Sequence, residues 1–97
     1  CDIRICVPSS KFFYPVMKMG YLPQPSDPKR LINLIGPGRA KLMLVAGEKL
    51  DSDKAYKFGL VDEIVKVENL ISRAHTLLDA SLSARSDHIS GIKRLMN

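Results

Sequence analysis

At 97 residues the chain suits one small domain or part of a larger one. Apolar residues make up 45%, which excludes a disordered tail and allows a modest core, and no apolar run approaches the ~20 residues of a membrane helix. The charge of +5 permits an anionic partner, yet the bases run from Arg4 to Arg94 with acids between them, and the aromatics gather at 12–14, away from them; no nucleic-acid or membrane partner is expected.

Residues 2–7 alternate like a strand, with Ile3, Ile5 and Val7 on one side. Cys1 and Cys6 point to opposite faces of such a strand, so neither a disulfide nor a shared metal is expected. His75 and His88 stand far apart with no Cys near them, so no metal site is expected either. The chain opens on strand pattern with no leader, so an upstream part is expected. Pro8-Ser9-Ser10 marks a turn, and residues 11–14 allow a second short strand. The two leading strands lack obvious partners in this chain, a second reason to expect that upstream part.

A loop with four prolines (Pro15, Pro23, Pro25, Pro28) follows. Asp27 can cap the first free N–H groups of a helix over 29–35, with Pro28 at its start and Leu31, Leu34 and Ile35 on one stripe. Gly36-Pro37-Gly38 breaks that helix and opens a second over 37–46, where Leu42, Val45 and Ala46 share a face and Gly47 is the stop. Asp51, Ser52 and Asp53 offer caps for a short helix over 53–58, ended by Gly59; residues 60–65 read as extended, with Asp62 and Glu63 facing solvent. Over 68–84, Leu70, Ile71, Ala74, Leu77, Leu78 and Leu82 form one helical stripe. Ser86 or Asp87 can cap a last helix carrying Ile89, Ile92 and Leu95. The fold class is α+β, predominantly α.

Three segments together resemble one family: CDIRI, then KFFYPVMKMGYLPQPSDPKRL, then LIGPGRAKLMLVAGEKLDSDKAYKFGLVDEIV. The chain is similar to the C-terminal half of a crotonase, an enoyl-CoA hydratase/isomerase. The resemblance implies the end of the crotonase spiral core over 1–66, with its pocket loop, and a C-terminal helical region over 67–97. It also implies an acyl-CoA substrate, chemistry through a thioester enolate, no cofactor beyond that substrate, and a homo-oligomer, trimer or hexamer. The compartment it implies is the cytoplasm, or the mitochondrial or peroxisomal matrix in a eukaryote.

The resemblance assigns positions as well. The family's two carbonyl-polarising N–H donors belong to its first half, upstream of Cys1, so residues 1–97 alone are expected to be inactive. One hydratase glutamate lies just before Cys1 in the family pattern. The other follows a proline, and that position here holds Val16, which cannot accept a proton. The family's Pro-Gly-x-Gly-Gly reads Pro23-Gln24-Pro25-Ser26-Asp27 here. Tyr14, Val16, Tyr21 and Gln24 are the candidate lining of an acyl pocket, Asp27 is an alternative acid, and Lys93 is a candidate for the CoA phosphates. No residue is assigned as catalytic. The competing expectation is a non-catalytic homologue serving as a structural or assembly subunit.

Overall fold

The computed structural model describes residues 2–15, 19–20 and 22–96. Strand β1 (Ile5–Cys6) runs parallel to β4 (Glu63–Ile64), with Ile5 beside Glu63 and Cys6 beside Ile64. Strand β2 (Lys11–Phe12) runs antiparallel to β3 (Leu50–Asp51), with Phe12 beside Leu50. The expectation that the leading strands lack partners within the chain is therefore corrected. Local alternation could not show either pairing, because each partner lies some forty or more positions away. The strand read over 2–7 shrinks to the two residues that have a ladder.

Among the described residues there are also five helices: α1 (Asp27–Ile35), α2 (Pro37–Leu44), α3 (Ser52–Phe58), α4 (Leu70–Leu82) and α5 (Ser86–Met96). A 3-10 turn (Val67–Asn69) leads into α4. The α+β, mainly helical class is as read from the sequence. No helix among the described residues is long and apolar enough to cross a membrane.

The core is small and draws one or two residues from most of these elements: Cys6, Ile35, Ala40, Met43, Leu50, Ala55 and Val61. Leu50 is fully buried. Burial pushes the Cys6 thiol above its ordinary pKa. Ile3 and Ile5 lie on the other side of β1 and, with Ala74, Leu77 and Leu78 of α4, line a cleft of about 110 Å³. Both sides of β1 are thus used, and Cys6, not the Ile3–Ile5–Val7 side, enters the core.

Gly36 separates α1 from α2 with φ +88°, a backbone shape that favours glycine. The buried side of α2 is Ala40 and Met43, whereas Leu42 and Val45 are exposed, which corrects the face read from the sequence. The shift follows from α2 ending at Leu44, so Val45 and Ala46 belong to its terminal turn. There the Glu48 N–H donates to the Leu42 carbonyl at 2.9 Å across Gly47, which turns the chain back onto the end of the helix with φ +69°.

At α3 the cap is Asp51, and the helix starts at Ser52, one position before the expected start. Its backbone is extended, and its carboxylate accepts the Lys54 N–H at 2.8 Å.

Candidate functional site

The proline loop starts at Tyr14, two residues after β2, and re-enters the fold at α1. Near its entry the Met19 N–H donates to the Pro15 carbonyl at 3.0 Å. At its exit the Asp27 N–H donates to the Gln24 carbonyl at 3.0 Å, and the Arg30 N–H to the Ser26 carbonyl at 3.1 Å. Between residues 22 and 26 only Pro23 is half-buried, and Leu22 is 93% exposed. Apolar burial therefore contributes little to holding this stretch.

A side-chain bond holds it instead. The Tyr14 Oη donates to Asp27 Oδ2 at 2.5 Å, joining the end of β2 to the first turn of α1. Asp27 is a helical residue and not the cap. Ser26 occupies the N-cap with helical φ and ψ, and no side chain bonds to the free N–H groups there. A capping side chain needs an extended backbone, as at Asp51, and the Asp27 carboxylate is taken by the phenol. The expected capping role of Asp27 is corrected on that ground. Its charge in the first turn still complements the helix dipole.

The hydrogen bond to Asp27 raises the Tyr14 pKa above the ordinary phenol value, burial and the Asp27 charge add to the rise, and the Gln24 backbone amide opposes it. The phenol therefore stays protonated at neutral pH, and its proton is committed to Asp27. The structure thus brings together Tyr14, Gln24 and Asp27 of the candidate residues. Val16 and Tyr21 lie outside the described residues.

Lys93 lies on α5, where its ammonium pairs with the Asp2 carboxylate at 2.8 Å; both groups are exposed. The hydrogen bond and charge of Lys93 lower the Asp2 pKa. Among the described residues, no group of three or more His, Cys, Asp or Glu could hold a metal ion.

Two acids read as solvent-facing are structural ties. Glu63 receives both arms of the Arg73 guanidinium, at 2.8 and 2.7 Å, which fixes α4 to β4. Asp62 accepts the Arg4 N–H at 2.8 Å, while Arg4 Nε donates to the Leu60 carbonyl at 2.6 Å. The sequence held one hint of the first tie: Arg73 sits beside Ala74 and Leu77, on the stripe of α4 that lines the cleft with Ile3 and Ile5.

A helix-rich chain with short paired strands and a proline loop clasped to a helix start matches one family along its whole length. The enoyl-CoA hydratase/isomerase profile matches residues 1–97, and the chain belongs to that family. The crotonyl-CoA hydratase of Syntrophomonas wolfei is 34% identical over 83 residues, which are 86% of this chain and 32% of that protein. The short-chain-enoyl-CoA hydratase of Clostridioides difficile is 35% identical over 77 residues, 79% of this chain and 50% of that protein. Among solved structures, Pseudomonas aeruginosa DspI superposes with a TM-score of 0.89 at 30% identity, over 99% of this chain and 37% of DspI. The enoyl-CoA hydratase of Bacillus anthracis gives 0.80 at 30% identity, over 87% of this chain and 33% of that one. The chain thus spans about a third to a half of the length of these relatives.

Proposed function

We propose that the whole protein carrying residues 1–97 processes acyl-CoA thioesters through an enolate, and that these residues supply one wall of the acyl pocket and part of its oligomeric frame. The family match over residues 1–97 carries this reading. An enolate oxygen gains negative charge as it forms, and fixed N–H dipoles stabilise it by ~3–4 kcal/mol in comparable sites. In this reading those donors come from outside residues 1–97. Acyl-CoA is the substrate, and no further cofactor is invoked. The exposed apolar residues of α4 and α5 meet further copies of the chain, in a trimer or hexamer.

Val16 shapes the reaction type. Two-carboxylate hydration needs a proton acceptor at that position, and valine offers none. The reading therefore favours isomerase-like chemistry with one carboxylate. The test sets the whole protein against a 3-enoyl-CoA and against crotonyl-CoA. Double-bond migration is expected to exceed hydration, and Val16→Glu is expected to raise hydration by about 10²-fold, the low end of general acid–base contributions. Hydration of crotonyl-CoA by the unaltered protein at the rate of the Syntrophomonas wolfei enzyme, measured side by side, would overturn it.

A second reading, a non-catalytic structural or assembly subunit, draws on the engagement of Asp27 by Tyr14, since Asp27 is the sole acid between residues 14 and 31. Calorimetric titration with acetyl-CoA separates the two; an absence of heat favours the subunit.

A further inference from the structure

The approach to α1 is held by unusual means. Capping side chains are absent at Ser26, and only Pro23 is half-buried between residues 22 and 26. The ordinary supports of a helix start, a capped first turn and an apolar anchor, are therefore weak here. Against that background stands one side-chain bond between half-buried partners thirteen positions apart, the Tyr14 hydroxyl on the Asp27 carboxylate. A hydrogen bond to a charged acceptor is stronger than one between neutral groups. The Asp27 N–H donates to the Gln24 carbonyl at 3.0 Å, so the phenol holds the carboxylate of the very residue that closes the last bend before α1.

We propose that Tyr14 and Asp27 are positioning residues: their hydrogen bond sets where the first turn of α1 and the Gln24 bend stand relative to the end of β2, and through that placement it sets the affinity for the acyl-CoA thioester. The second half of the statement rests on the acyl-CoA reading above; the first half does not. Neither side chain transfers a proton in this role. The phenol holds the carboxylate, and the carboxylate carries α1.

The test uses the whole protein and four variants: Tyr14→Phe, Asp27→Ala, Asp27→Asn and the double variant Tyr14→Phe/Asp27→Ala. The first readout is amide hydrogen exchange at Asp27 and Arg30, whose N–H groups close the turns at the start of α1. The second is the dissociation constant for acetyl-CoA.

Tyr14→Phe keeps the ring and removes the donor. It is expected to speed exchange at Asp27 and Arg30 by about tenfold, with α3 and α4 unchanged, and to weaken acetyl-CoA by a similar factor. Asp27→Asn keeps an acceptor oxygen and is expected to fall between the unaltered protein and Asp27→Ala. The double variant is expected to be no worse than the worse single variant, as for two partners in one bond.

Unchanged exchange at Asp27 and Arg30 in Tyr14→Phe would overturn the proposal. Faster exchange with unchanged acetyl-CoA affinity would overturn its binding half. If the unaltered protein does not bind acetyl-CoA, the functional reading fails, while the exchange arm still decides whether the clasp places α1.

Discussion

Gly59 shows how one residue closes an element. It ends α3 in the left-handed region, at φ +84° and ψ +11°, and its N–H reaches the Tyr56 carbonyl at 3.1 Å. A Cβ built there would lie 3.2 Å from the Leu34 carbonyl oxygen. Gly59→Ala therefore meets both a backbone penalty and a close contact, and costs about 1–2 kcal/mol, read as a lower urea midpoint at unchanged slope. Gly91 is the control: it lies within α5 with open space around its Cα, and Gly91→Ala is expected to gain up to ~1 kcal/mol. The stop at Gly59 was legible because chirality makes glycine the usual solution at that point. The role of Asp27 was not. An acid before a helix serves equally as the cap or as the first helical residue, and only the Tyr14 hydroxyl, brought in by the fold, decides which.

Among the elements, α4 depends on one charged tie. Arg73 holds Glu63 in a two-armed bond, and that bond lowers the Glu63 pKa. A carboxyl depressed in the folded state stabilises fully above its unfolded pKa, and the contribution is lost as pH falls through the folded value. The difference in urea midpoint between the unaltered protein and Arg73→Ala should accordingly shrink in acid. Equal differences at neutral and acid pH would contradict it. Arg73→Lys should recover only part of the loss, because a lysine cannot make the two-armed bond. The helices were largely legible here, since a period of 3.6 names a face. What covers that face was not: Leu70, Ala74 and Leu77 are half-buried while Ile71 and Leu82 on the same stripe stand in solvent. The strands were the least legible, because a two-residue ladder is defined by its partner and not by its own pattern.

For the molecule as a whole, the exposed apolar residues stand out. Ile71 and Leu82 on α4 and Ile92, Leu95 and Met96 on α5 are all exposed, and Leu95 is 87% so. Grouped exposed apolar side chains mark interaction surfaces. In the oligomer proposed above, Ile71→Glu together with Leu82→Glu should lower the mass measured by light scattering while leaving the circular dichroism spectrum intact. A monomeric unaltered protein would contradict that arrangement. The family was legible because the block from Gly36 to Val65 joins turn glycines, a helix and a strand at fixed intervals. The sequence marked Tyr14, Gln24 and Asp27 as candidates, but not the bond between Tyr14 and Asp27, which only the fold brings about.

The parallel pairing of β1 with β4 has one more result. The Arg4–Asp62 contact joins positions 58 apart, and Ser52 Oγ donates to the Pro8 carbonyl at 2.9 Å across 44. A protease that cut once between residues 15 and 26 would sever the backbone without freeing either piece. The two peptides would travel as one species on a native gel and part only in denaturant. Cut and uncut protein would then look alike in any assay that keeps the fold intact.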